Sequence, residues 1–127
     1  MEKRLLITGF EPFGGETVNP SWQAVSSLPE QIGCFRLYKK EIPVVFGQAA
    51  QMVIGLAEEI KPHMVLCVGQ AGGRSDVTPE RFGVNFRDAR IADNAGKGRC
   101  PYGLDTPSLL QLMLKDYDEF YAQHKND

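Results

Sequence analysis

Cysteine and histidine are scarce in this sequence. Three cysteines, Cys34, Cys67 and Cys100, and two histidines, His63 and His124, are all that 127 residues offer. An odd number of cysteines without framework spacing argues against a disulfide scaffold and points to a reducing compartment, the cytoplasm. No His/Cys cluster has metal-ligand spacing, so no metal is expected. The phosphate-loop patterns G-x-G-x-x-G and G-x-x-x-x-G-K-S/T are absent, and Gly96-Lys97-Gly98 reads as a flexible basic loop; no cofactor is expected. A net charge of −2 provides no broad positive field, which excludes nucleic acid as an expected partner. Membranes are excluded as well, because no apolar run approaches the roughly 20 residues needed to cross a bilayer. After Glu2-Lys3-Arg4, the run LLITGF is too short for a signal h-region. Internal repeats, linkers and low-complexity segments are missing too.

Short apolar runs and helical stripes occur in alternation. Arg4–Thr8 is apolar, partly β-branched and bounded by Gly9, which predicts a short buried strand. Gly9-Phe10-Glu11-Pro12-Phe13-Gly14-Gly15 reads as a loop, and its two phenylalanines pack locally on composition alone. Asn19-Pro20 predicts a helix start, with Asn as N-cap and Pro at the first helical position. That helix ends near Leu28, before Pro29, and turns Trp22, Val25 and Leu28 toward the core. Phe35–Val45 predicts a second strand, with Lys39-Lys40-Glu41 as its solvated end and Pro43 marking an edge or terminus.

Phe46–Ile60 predicts a second helix, with Phe46, Ala49, Ala50, Val53, Ile54, Ala57 and Ile60 in one stripe. Lys61-Pro62 ends it, and Met64–Val68 follows as a buried central strand. The order strand, helix, strand, helix, strand defines an α/β fold, a three-layer α/β/α arrangement with a mostly parallel sheet. Phe82, Val84 and Phe86 alternate with period two, so a strand or small hairpin is expected up to Ile91. Asp93–Gly98 is a loop by composition. Asp105-Thr106-Pro107 then starts a last helix with Leu109, Leu110, Met113, Leu114, Tyr117 and Tyr121 on one face.

The apolar run Met64–Val68 opens abruptly into Gly69-Gln70-Ala71-Gly72-Gly73-Arg74. Glycines at the carboxyl end of a strand allow a backbone to approach a ligand, and such strand ends are where sites form in open α/β sheets. Beyond the turn stands an isolated carboxylate, Glu80, between Pro79 and Arg81. Residue chemistry alone favours a surface ion pair of Glu80 with Arg81 or Arg74. Cys67 lies inside the apolar run, so it should be buried, with a raised pKa and little reactivity. Cys34 has no evident base. Cys100, in a loop, is the most exposed of the three. His63 precedes the strand at its amino end, opposite the glycine loop, and His124 stands near the terminus.

The segments VGQAGGR, TPERFGVN and ARIADN, together with the N-terminal LLITGFEPFGGETVNPSW, resemble the pyroglutamyl peptidase I family, also called pyrrolidone carboxyl peptidases. The resemblance covers about Met1 to Asn94. It implies a domain of which residues 1–98 form the N-terminal half, with residues 99–127 a divergent helical tail and the sheet incomplete at its C-terminal side. It also implies cysteine-peptidase chemistry, in which an N-terminal pyroglutamyl residue is removed from peptides. By position, Glu80 inherits the role of the triad acid. Phe10 and Phe13 become candidates for an apolar pocket around the pyrrolidone ring, Asn19 a candidate to face the lactam in addition to capping its helix, and Gln70 and Ala71 sources of backbone donors. Arg90 either polarises the substrate carbonyl or pairs with Asp88 or Asp93. The family's nucleophile motif, a Cys followed by Asn in a Gly-Thr turn, has no match here, nor does its histidine motif. This predicts a truncated form that is inactive alone, with homo-oligomers expected by resemblance. A non-catalytic remnant or partner-binding fragment is the alternative, and a small-anion binder using the glycine loops a third.

Overall fold

A computed structural model of the chain describes residues 1–82, 89 and 91–96. Expectations for Arg90, for most of the strand after Phe82, and for the tail with Cys100 and His124 lie outside the described residues. Within them the elements run β1 (Lys3–Phe10), α1 (Pro20–Ser27), β2 (Gln31–Ile32), β3 (Phe35–Ile42), α2 (Gln48–Ile60) and β4 (Met64–Cys67). The sheet order is β2-β3-β1-β4. β1 pairs in parallel with both β3 and β4, and β2 adds a short antiparallel pairing to β3.

Register and alternation place one helix on each face. Leu5 and Ile7 of β1 pair with Leu37 and Lys39 of β3, and Ile7 and Leu37 pack with Val25 of α1 as the buried core. Trp22 and Leu28, expected in the core, are half-buried against this cluster. On the opposite face Phe10 pairs with Ile42, and both line an open space bordered by α2. The result is the expected α/β/α layering on a mostly parallel sheet.

α1 starts as the sequence indicates. The Asn19 side chain accepts the backbone N–H of Ser21 at 3.0 Å and Pro20 is the first helical residue. Its far end holds a correction. Lys39, expected in a solvated strand end, is only 18% exposed at its side chain. Its ammonium donates to the Leu28 carbonyl at 2.8 Å, where a cation meets the unsatisfied carbonyls and negative dipole end of α1.

Gly9 and Phe10 belong to β1 and not to the following loop, a second correction. The close approach of α1 explains why a strand carries glycine there: a Cβ on Gly9 would stand 2.7 Å from Trp22 Cα. α2 begins at Gln48, two residues later than expected, after Gly47 with φ 83°. It ends at Lys61 in the left-handed conformation before Pro62, a common way for a helix to stop. Its half-buried stripe is Ala49, Val53, Leu56, Ala57 and Ile60. Ile54 departs from the predicted stripe and is 58% exposed.

The largest difference concerns β4. Expected as a buried central strand, it stands at the edge of the described sheet, and Leu66 is 48% exposed. Cys67, expected to be buried, is exposed. The physical reason is that, among the described residues, β4 has a strand neighbour on one side only, β1, while no residue of α2 is fully buried.

Candidate functional site

The loops at the carboxyl ends of β1 and β4 meet in one cavity. Phe13, Gly14 and Glu16 from the loop after β1, Gln70 and Gly72 from the loop after β4, and Ile91 line a space of about 430 Å³. Positive φ at Gly14 and Gly15, 65° and 82°, turns the first loop, a conformation that favours glycine over other residues. A turn closed by the Arg74 N–H on the Ala71 carbonyl, 3.3 Å, shapes the second. The N–H groups of Gln70 and Ala71 have no hydrogen-bond partner among the described residues. They are therefore available to an acceptor on a ligand. The lining mixes apolar side chains with a carboxamide and a carboxylate, which suits a small ring bearing polar substituents.

The predicted site residues separate into groups. Phe13 and Gln70 share the cavity. Phe10 instead lines a second, apolar space of about 350 Å³ with Ile42, Ala49, Ala50, Val53, Ile54 and Cys67. The ring of Phe10 still approaches the site loop, lying 3.8 Å from where a Cβ on Gly69 would be. Asn19 is buried, and its side chain works within the scaffold. Its Oδ1 accepts from the Ser21 backbone and from Ser21 Oγ, and its Nδ2 donates to the Glu11 carbonyl at 2.9 Å. It lines neither cavity.

Glu80 is 77% exposed at its side chain and pairs with Arg74, Nη1 to Oε1 at 3.2 Å. The same Nη1 donates to Thr78 Oγ1 at 2.7 Å, so Thr78 and Glu80 share one guanidinium nitrogen. Exposed pairs of this kind contribute little stability. His63 sits at the amino end of the sheet. Its Nδ1 accepts the Arg4 backbone N–H at 3.1 Å, and its own backbone N–H donates to the Arg4 carbonyl. Cys34 is exposed next to the start of β3. No group of three or more metal-ligating side chains is gathered among the described residues. Among them, too, no helix is long and apolar enough to cross a membrane.

Sequence reasoning missed Glu11, Asp93 and Asn94. Glu11 Oε1 accepts the Val44 backbone N–H at 3.0 Å and Asn94 Nδ2 at 2.7 Å. Asp93 is buried and receives the Phe46 N–H on Oδ2 and the Ala95 N–H on Oδ1. The available signal was the local chemistry of Asp-Asn-Ala-Gly, since Asp side chains commonly accept from the N–H two residues on. Nothing local, however, marks their partners at Val44, Phe46 and Glu11.

Layered helices on a parallel sheet, with a lined cavity at the carboxyl strand ends, define an α/β protein with a small-ligand site at its loop end. A model of the pyroglutamyl peptidase family matches residues 3–105. The pyrrolidone-carboxylate peptidase of Bacillus mycoides is 48% identical over 95 residues, which cover 74% of this chain and 44% of that protein. The Staphylococcus saprophyticus counterpart is 52% identical over 93 residues, 73% and 44% of the two chains. Among solved structures, pyroglutamyl peptidase I from Bacillus amyloliquefaciens superposes with a TM-score of 0.73 at 45% identity, over 77% of this chain and 47% of that one. Pyrrolidone carboxyl peptidase from Pyrococcus furiosus gives 0.70 at 46% identity, over 75% and 46%. The chain belongs to the pyroglutamyl peptidase family. It spans less than half the length of the curated relatives it matches.

Proposed function

We propose that this chain carries the pyroglutamyl-binding pocket and the triad acid of a cysteine peptidase that removes N-terminal pyroglutamate from peptides. The observation that supports this reading most is the single cavity that brings Phe13 and Gln70 together at the carboxyl ends of β1 and β4. In this reading the Phe13 ring and Ile91 pack on the faces of the lactam, and the open N–H groups of Gln70 and Ala71 donate to its carbonyl. Phe10 supports the Gln70 loop from the far side through Gly69. Asn19 acts on the pocket through the Glu11 carbonyl that it holds. Arg90 belongs to the same proposal, as a donor near the scissile carbonyl.

Glu80 is the proposed orienting carboxylate. A carboxylate bonded to imidazole selects its tautomer and stabilises the imidazolium formed when a thiol gives up its proton. The nucleophile must be a thiolate with a base at hand. Cys67 faces the apolar space under α2, and His63 is engaged with Arg4 at the other end of the sheet. Neither supplies a dyad, and Cys34, Cys100 and His124 stand in neither the family's nucleophile motif nor its histidine motif. In this reading the chain alone binds and does not hydrolyse. The non-catalytic alternative, a chain that engages a partner, draws on one specific observation, the exposed strand β4 at the edge of the described sheet; a homo-oligomer through that edge is its simplest form. A cytoplasmic setting, where thiols stay reduced, completes the proposal.

The test joins this chain to the remaining portion of the Bacillus amyloliquefaciens relative and compares Glu80 with Glu80→Gln. Gln keeps the shape and loses the charge, so kcat should fall on the order of 10³-fold or more while KM changes little. A loss confined to KM would make Glu80 a binding residue and defeat the triad assignment.

A further inference from the structure

Two arms of the cavity come from distant parts of the chain. One, Phe13–Glu16, follows β1; the other ends in the loop 91–96, which contributes Ile91. Glu11 stands where these arms meet. Its backbone N–H donates to the Ile42 carbonyl at 3.0 Å, which ties the end of β1 to the end of β3. Its carbonyl accepts Asn19 Nδ2, which ties the same point to the start of α1. Its carboxylate receives two donors on the same oxygen, Oε1: the Val44 N–H and Asn94 Nδ2. Asn94 Nδ2 reaches the neighbouring Pro12 carbonyl as well, at 2.9 Å. Both acceptors demand a donor, and this fixes the orientation of the Asn94 amide.

We infer that Glu11 is a positioning residue for the pocket, acting with Asn94 as a clasp that sets the Phe13 arm against the Ile91 arm. The inference rests on the pyroglutamyl reading of the cavity and deepens it. Loop 91–96 has other anchors. Asp93 holds the Phe46 N–H, and the Asn94 N–H donates to the Val44 carbonyl at 2.9 Å. Removing the Glu11 carboxylate therefore leaves that loop on the sheet, with Asn94 still reaching the Pro12 carbonyl, and loosens its register against Phe13. Since one oxygen does the work, an amide at position 11 can present Oε1 to both donors. The acceptor atom matters here and the negative charge does not.

The experiment measures binding of the dipeptide pyroglutamyl-alanine to the 127-residue chain by calorimetry or amide chemical shifts, for the parent, Glu11→Ala, Glu11→Gln, Asn94→Ala and the Glu11→Ala/Asn94→Ala pair. Loss of an ordinary hydrogen bond corresponds to a weakening of up to about tenfold. Each alanine variant should show that loss, the double variant no more than either single one, and Glu11→Gln should bind within about threefold of the parent. Non-additivity of this kind marks residues acting as a unit. Should Glu11→Ala fail to fold, Asn94→Ala, on the exposed loop, decides the matter alone. Folded alanine variants that bind like the parent would overturn the clasp and leave the pocket standing, and so would losses that simply add. Absence of binding by the parent chain would overturn the pyroglutamyl reading, and the clasp with it.

Discussion

The backbone of Trp22 lies against Gly9 so closely that a Cβ at position 9 would stand 2.7 Å from Trp22 Cα and 2.8 Å from its nitrogen. Just beyond, the Phe10 N–H donates to Ser21 Oγ at 2.9 Å. The first turn of α1 is thereby seated directly on β1, and both partners at the contact are backbone, which cannot swing aside. Gly9→Ala is expected to cost at least the roughly 1–3 kcal/mol of an overpacked core. Urea denaturation would record it as a lowered midpoint at unchanged slope. A midpoint within error of the parent would mean that helix and strand separate freely.

That contact also shows where reading the sequence stops. α1 and α2 were legible because each combines a clear period with a chemical signal, Asn19-Pro20 before α1 and Pro62 after α2; β1 and β3 were legible as strands, but the second, expected to reach Val45, stops at Ile42 before Pro43. The extension of β1 through Gly9-Phe10 was not legible, since glycine signals a turn locally and its use here depends on a helix that starts only at Pro20. Burial of β4 was misjudged for a similar reason. An apolar run reports what can be buried, and only the neighbours determine what is. In the site, the glycine loop around Gln70 and the Phe13 arm were visible from composition and resemblance. The clasp of Glu11 with Asn94 was not, because its members are separated along the chain and their residue types are ordinary in loops.

The Asn19 side chain satisfies α1 and Glu11 together while buried. Asn19→Ala removes the cap, worth about 0.5–2 kcal/mol, and leaves the Glu11 carbonyl without that donor. A loss near or above 2 kcal/mol in chemical denaturation is expected. A loss of a few tenths would show that water replaces both roles.

Lys39 and Glu30 form an ion pair at 3.2 Å, with Glu30 82% exposed at its side chain. The two partners should behave differently. Glu30→Gln is expected to change stability by well under about 1 kcal/mol, as for other exposed pairs. Lys39→Met gives up the hydrogen bond to the Leu28 carbonyl at the end of α1 and should cost about 1 kcal/mol or more. Equal losses for both, abolished by salt, would assign the effect to the ion pair instead.

Met64, Val65 and Leu66 on β4 are exposed, and among the described residues β4 has a strand neighbour only at β1. An open strand edge with apolar side chains invites pairing with another chain. Sedimentation of the purified chain should reveal self-association at micromolar concentration and above, and Leu66→Lys should shift it toward monomer. A parent chain that sediments as a compact monomer and binds no hydrophobic dye would contradict this.

The most direct measurement is an amide chemical-shift titration of the chain with pyroglutamyl-alanine, alongside prolyl-alanine, which has the ring without the lactam carbonyl. Saturable shifts are expected for the pyroglutamyl dipeptide at Phe13, Gly14, Gln70, Ala71 and Ile91, with prolyl-alanine producing little change. Equal responses to the two dipeptides, or shifts centred instead on Phe10, Ala49, Val53 and Cys67, would contradict a pyroglutamyl pocket between the loops that follow β1 and β4.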